Sequence, residues 1–136
     1  NCKVQNGVSI YNGVQIEDRV FVGPHAVFTN DLRPRADIWD EDRLSKTIVR
    51  QGASIGANAT IRCGIEIGEW CMIVAGSVVT KDVPPHALIV GVPGRIFGWV
   101  TKTGAKLKIT AEEGRLGGTF TSDETGETVN LVPLEE

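Results

Sequence analysis

Val49-Arg50-Gln51-Gly52-Ala53-Ser54-Ile55-Gly56-Ala57-Asn58-Ala59-Thr60-Ile61-Arg62-Cys63-Gly64-Ile65-Glu66-Ile67-Gly68-Glu69-Trp70-Cys71-Met72-Ile73 is the stretch on which the fold turns. An aliphatic residue returns at every sixth position, Val49, Ile55, Ile61, Ile67 and Ile73, and a second inward residue follows four places later, at Ala53, Ala59, Ile65 and Cys71. Turn formers such as Gly56-Ala57-Asn58 lie between the two sets and bend the chain at a corner. An amphipathic helix repeats near 3.6 and a half-buried strand at 2, so neither accounts for a period of six.

Outward from this stretch the register holds. Downstream it takes in Ser77 and Val79; upstream it resumes at Val4, Ile10, Ile16, Val22 and Phe28, with Val8, Val14, Val20 and Ala26 as the second set and Asn6-Gly7, Asn12-Gly13 and Gly23-Pro24 as corners. Such a period is what a triangular coil of three short strands requires, at about 18 residues per coil. Residue i then stacks on residue i+18, which predicts Val4 on Val22, Ile10 on Phe28, Ile55 on Ile73 and Ile61 on Val79. Each buried aliphatic group in such a ladder contributes roughly 1.5 to 3 kcal/mol. The expected fold is all-β: a left-handed parallel β-helix over residues 1–98, with one excursion loop at about 31–46 and a short β-hairpin tail over 99–136. Coil ends need polar caps, because an open end presents unpaired strand edges. Val4 follows almost directly on Asn1 with no initiator Met, so further N-terminal coils are expected.

Composition agrees. The 136 residues suit one domain, and 16 Gly with only 6% aromatic residues suit many tight turns packed by Ile, Val and Ala. A net charge of -3 with both signs interspersed offers no basic stripe for a phosphate backbone, so nucleic acid is not an expected partner. No apolar run approaches the roughly 20 residues that span a bilayer, and no signal peptide opens the chain, which makes a cytoplasmic protein without membrane contact the expectation. Cys2, Cys63 and Cys71 show no C-x-x-C spacing and read as idle or buried thiols.

The repeat breaks once. From Phe28 to Val49 is 21 residues where six are due, so 15 are inserted. The insertion carries Asp31, Arg33, Arg35, Asp37, Asp40, Glu41, Asp42, Arg43 and Lys46 around Pro34 and Trp39, and a charged loop of this length on a regular helix is a candidate binding element. At its base lie His25, in the corner of its hexad, and Asn30 with Asp31, all expected at the surface near one another. Acyl transfer to an amine needs a neutral nucleophile and a group to orient it. His25 is the candidate base and Asn30 the candidate holder of the amine; the plain alternative for a corner His is an exposed side chain. Arg33 and Arg35 carry forks that match a diphosphate or a carboxylate, or pair with Asp37 or Asp40 within the loop.

Phe28-Thr29-Asn30-Asp31, Pro34-Arg35, Gly52 to Ile61, Val78-Val79-Thr80-Lys81-Asp82-Val83-Pro84-Pro85 and Gly91-Val92-Pro93-Gly94-Arg95 together resemble the hexapeptide-repeat N-acetyltransferases of nucleotide-linked 3-amino sugars. The likeness is to the UDP-2-acetamido-3-amino-2,3-dideoxy-glucuronate and dTDP-3-amino-3,6-dideoxyhexose types and spans residues 1 to about 107. It implies a homotrimer, acetyl-CoA in a groove between adjacent β-helices, and an amino sugar beside the excursion loop, serving surface polysaccharide such as lipopolysaccharide. It implies that Asn30 contacts the sugar amine with Asp31, Arg33 and Arg35 around the substrate. Ala75 and Gly76 then run close to the pantetheine, and Lys81 and Arg95 meet the CoA phosphates or are solvated charges. In that subgroup the position of His25 is not uniformly His, so a protein base is dispensable.

After Trp99, Thr101 to Leu107 and Thr121 to Gly126 form two spaced, Gly-turned segments, where some of these relatives carry Cys-x-Cys-Gly and Cys-x-x-Cys-Gly. The tail therefore resembles a zinc ribbon without its thiols. A structural zinc site needs about four N or S ligands, so no metal is expected, and a pair of short hairpins capping the helix is. Three rivals share the fold: an O-acetyltransferase, where His25 must activate a hydroxyl; a γ-carbonic-anhydrase-like protein, which needs three His where only His25 and His86 exist; and a non-catalytic scaffold.

Overall fold

The computed structural model describes residues 1–135, and it is a left-handed parallel β-helix. Strands of two to four residues form three parallel sheets, one per side of a triangular prism. One sheet takes β1 (Lys3–Val4), β3 (Phe21–Val22), β6 (Ser54–Ile55), β9 (Met72–Ile73) and β11 (Ala87–Val90); the next takes β4 (Val27–Phe28), β7 (Thr60–Ile61) and β10 (Val78–Val79); the third takes β2 (Val14–Ile16), β5 (Thr47–Val49) and β8 (Glu66–Ile67). Strands are this short because a corner follows every few residues.

The register is the expected one. Val4 pairs with Val22, Ile55 with Ile73 and Ile61 with Val79, while Ser9 bridges Val27 beside the predicted Ile10 and Phe28 step. Across the excursion the offset becomes 33, as in Val22 with Ile55 and Phe28 with Ile61, so the 15 inserted residues leave the ladder undisturbed. From Val20 onward both inward sets are buried, Ser77 included; its hydroxyl donates to the Val74 carbonyl at 2.7 Å and accepts the Gly91 N–H at 3.2 Å. Val4 and Ile10 are 49% and 41% exposed, because a coil covers them on one side only.

The top coil departs from the repeat. Ile67 bridges Val83 and Ile73 pairs with Ile89, an offset of 16 instead of 18, so the coil that contains Pro84-Pro85 is two residues short. Its last strand then folds back as β12 (Arg95–Trp99), antiparallel to β11.

Corners are packed coil upon coil. Gly7, His25, Asn58 and Gly76 occupy one column, all with positive φ, and each of the upper three N–H groups bonds to the coil below, as His25 does to Asn6. A Cβ at position 7 would lie 2.2 Å from His25 Nδ1, so the imidazole rests directly on Gly7. The next column holds Arg19, Gly52, Trp70 and His86, and a Cβ at position 52 would meet the Trp70 ring at 2.2 Å.

The tail closes the upper end and shares the core: Trp99, Leu107, Val129 and Leu131 are buried in one cluster with the coil residues. It holds one true hairpin, β13 (Gly118–Thr121) with β14 (Thr128–Leu131), and a tighter turn closed by a Val100 to Lys106 bridge. A short helix α1 (Ala111–Arg115) stands between them, which corrects the expectation of hairpins alone. Its start is a capping box, Thr110 Oγ1 accepting from Glu113 N and the Glu113 carboxylate accepting from Thr110 N. Thr119 to Asn130 and Thr121 to Thr128 hydroxyl contacts line the outer face of the hairpin, the polar surface a solenoid end requires.

In the two Gly-turned segments of the tail, hydroxyls bond to backbone and to each other. Thr101 Oγ1 accepts the Ala105 N–H and contacts Thr103 Oγ1, both at 3.1 Å; Thr103 donates to Glu127 at 2.5 Å; Ser122 Oγ accepts the N–H groups of Glu124 and Thr125 at 3.2 Å. The Thr103 hydroxyl is the largest influence holding the Glu127 carboxyl below its ordinary pKa. Among the described residues no group of three or more His, Cys, Asp or Glu side chains gathers as a metal site, and no helix is long and apolar enough to cross a membrane.

Candidate active site

One side of the prism, the sheet of β4, β7 and β10, is bordered by two edges that gather the candidate residues. The first edge is the corner column with His25, Asn58 and the Ala75-Gly76 turn. By register His25 lies two coils below Gly76, roughly 10 Å at about 4.8 Å per coil. The second edge carries Asn30 and, in the same register two coils higher, Lys81. Arg62 leaves β7 at this edge too, an exposed cation that the hexad reading passed over because it stands at an outward position of the repeat.

His25 and Asn30 are therefore not at one place. They begin and end a single side of the prism, five extended residues or roughly 16 Å apart. This corrects the expectation that His25 reaches the surface near Asn30 and Asp31. His25 is exposed, its ring set against Gly7. Asn30 is half-buried, and its Nδ2 donates a long 3.4 Å bond to the Asn12 carbonyl one coil below. That leaves the amide oxygen of Asn30 as an acceptor for an incoming N–H.

The excursion loop leaves from the second edge and is tied at its neck. Ser45 N donates to Asn30 O at 3.0 Å, and Asp31 bridges Leu44. Asp31 is engaged within the loop: one carboxylate oxygen accepts the Arg33 N–H at 2.8 Å and the other accepts Arg43 Nε at 3.3 Å. Its side chain is only 13% exposed and that of Arg43 23%, so the pair is a brace partly shielded from water. Arg43 also donates to the Arg33 carbonyl. The brace shapes a small hollow lined by Asp31, Arg33, Asp42, Arg43 and Ser45. Arg35 donates to the Pro34 carbonyl at 3.0 Å and does not pair with Asp37 or Asp40. In the sequence Arg43 is one loop charge among several, and no local spacing marks its pairing with Asp31.

Lys81 and Arg95 do come together. Both line a groove of about 330 Å³ between the top coil and the tail, with Val83, Ile89 and Ile96 as apolar lining and Arg115 of α1 as a third cation. The groove and the Ala75-Gly76 corner lie at opposite ends of β10. Small residues at that corner let a ligand approach the backbone. His86 stands in another column from His25; its Nδ1 is 2.9 Å from the Val100 carbonyl, and burial depresses its pKa. Burial pushes the Cys71 thiol up to about 12, which makes it inert packing.

Residues 46–81 match the family model described as bacterial transferase hexapeptide (six repeats). Over 67 residues the chain is 52% identical to the dTDP-3-amino-3,6-dideoxy-alpha-D-galactopyranose 3-N-acetyltransferase of Aneurinibacillus thermoaerophilus, covering 49% of this chain and 35% of that protein. The chain thus spans about a third of the length of that curated relative. Among solved structures it is similar to a maltose O-acetyltransferase from Clostridium difficile 630, with TM-score 0.65 and 27% identity over 74% of this chain and 57% of that one. It is also similar to a hexapeptide-repeat acetyltransferase of Vibrio cholerae O1 biovar eltor complexed with acetyl coenzyme A, with TM-score 0.51 and 25% identity over 74% and 61% of the two chains.

Proposed function

We propose that the chain is the β-helical part of an acetyl-CoA-dependent N-acetyltransferase acting on the amino group of a nucleotide-linked amino sugar, working as a cytoplasmic homotrimer in surface polysaccharide biosynthesis. The observation that carries this reading is the likeness at 52% identity to a sugar 3-N-acetyltransferase, joined to an edge geometry that suits a long cofactor. Acetyl-CoA supplies the thioester whose acyl carbon the amine attacks and whose thiolate leaves. Lys81 and Arg95 offer positive charge for its phosphates, and Ala75-Gly76 offers bare backbone for its pantetheine arm.

For the acceptor, Asn30 Oδ1 accepts an amine N–H and so aims the nitrogen lone pair away from itself. Arg33 and Arg35 supply charge for the diphosphate, while Asp31 holds the loop in place through Arg43. His25 takes the proton lost by nitrogen. Its distance from Asn30 along one side of the prism supports a trimer, because a second copy can set one chain's His25 edge against its neighbour's Asn30 edge. The tail stands as a metal-free ribbon.

The test is acetyl-CoA with a panel of UDP- and dTDP-linked amino sugars, following thiol release. Turnover with a 3-amino sugar is expected, and none with any of them overturns the subgroup. The similarity to a maltose O-acetyltransferase favours one second reading, transfer to a hydroxyl. His25→Ala separates the two. An amine acceptor, already a nucleophile when neutral, keeps much of its rate, whereas a hydroxyl acceptor loses about 10²-fold or more without a general base.

A further inference from the structure

The groove at the top of the prism draws its charges from three separate elements: Lys81 follows β10, Arg95 opens β12 and Arg115 ends α1. Two carboxylates, Asp82 and Glu135, also line it, and Asp82 is already engaged by the Glu66 N–H at 2.9 Å. Among the described residues the lining holds three cations against two anions, and Arg115 is the cation that tips this balance to positive.

Arg115 is held there by packing. Trp99, 1% exposed, donates from Nε1 to the Ala111 carbonyl at 3.1 Å, and a Cβ on Gly114 would fall 1.9 Å from that nitrogen, so α1 lies flat on the indole. The Arg115 carbonyl accepts the Leu134 N–H at 2.9 Å, which anchors the end of the helix through its backbone and leaves the guanidinium for the groove. An aliphatic lining ringed by two guanidinium groups and an ammonium matches a flat heterocycle bearing phosphates.

We propose that Arg115 is a phosphate-binding residue and that the tail, lying outside the hexads, forms one wall of the cofactor site. The ligand is the adenosine phosphate end of an acyl-CoA, so the inference rests on the acyl-CoA reading. Arg115 contacts phosphate oxygens directly, and the pantetheine arm leaves toward the Ala75-Gly76 corner at the other end of β10.

The experiment uses the whole chain and its Arg115→Gln and Arg115→Lys variants, titrated calorimetrically with CoA, with pantetheine, which lacks phosphate, and with dTDP, at two salt concentrations. Arg115→Gln is expected to weaken CoA about tenfold and to flatten its salt dependence, with pantetheine and dTDP unchanged and Arg115→Lys intermediate. Equal affinity of wild type and Arg115→Gln for CoA overturns the inference and leaves the acyl-CoA reading standing. Parallel losses for CoA and pantetheine overturn it too, since they mark a displaced tail. A loss confined to dTDP assigns the groove to the acceptor nucleotide and overturns it. A wild-type chain that binds no CoA and releases no thiol removes the acyl-CoA reading first, and the inference with it.

Discussion

Phe28 and Trp39 are near neighbours in sequence and opposites in environment: Phe28 is fully buried, while the larger ring of Trp39 is 56% exposed. Phe28 stands at a hexad position with Ile61 registered on it from the coil above. Trp39 stands in the excursion, where no strand is stacked. The coil wall and the loop thus differ in what fixes a side chain. In the wall a ladder neighbour does so; in the loop a few local ties hold the neck, the Asp31 pair with Arg43 among them. Val4 and Val22 make the same point with one residue type, at 49% and 0% exposure.

The contrast can be broken from the wall side first. Phe28→Ala is expected to cost about 3 to 5 kcal/mol in urea unfolding, since the void has close-packed neighbours on every side; a loss under about 1 kcal/mol would show that the wall is no tighter than the loop. Gly52→Ala is expected to cost about 1 to 3 kcal/mol, because the new methyl meets the Trp70 ring at a position with φ of 74°. On the loop side, Asp31→Asn is expected to cost about 1 kcal/mol or less while opening the bonds after Arg35 and Arg43 to trypsin. Unchanged cleavage would show that the brace holds nothing.

A shallower effect is expected at His86. Burial lowers its pKa below the ordinary 6.5 against the opposing pull of the Val100 carbonyl, with Lys102 reinforcing and Glu69 and Glu127 resisting the shift. The fold therefore prefers the neutral ring. That contribution is complete above pH 6.5 and is lost as pH falls through the folded value, so His86→Gln should flatten thermal stability against pH in that acid range. Trp39→Ala should change stability by no more than about 0.5 kcal/mol, the smallest effect of the set.

The prism was legible because each anchor from Val4 to Val79 repeats a local pattern that a six-residue count detects. The shortened top coil was not: replacing an offset of 18 by 16 leaves Val83 and Ile89 as inward residues out of phase, hidden behind Pro84-Pro85. α1 does carry a local signal, since Thr110-x-x-Glu113 is a capping box in the sequence. Individual site residues were legible as departures from the repeat, but their grouping was not. His25 and Asn30 are close in number and fall on different corners, whereas Lys81, Arg95 and Arg115 are distant in number and line one groove. Proximity here depends on which corner a residue occupies, and that depends on counting coils across an insertion.

The paired corners bear on how such a protein can be rebuilt or can drift. His25 sits where it does because position 7, a whole turn earlier in the chain, has no side chain, and Trp70 makes the same demand of position 52. A coil is therefore not an interchangeable brick. Grafting the His25 turn onto another solenoid should succeed only when the turn beneath it travels along, and the residues at 7 and 25, like those at 52 and 70, should change together.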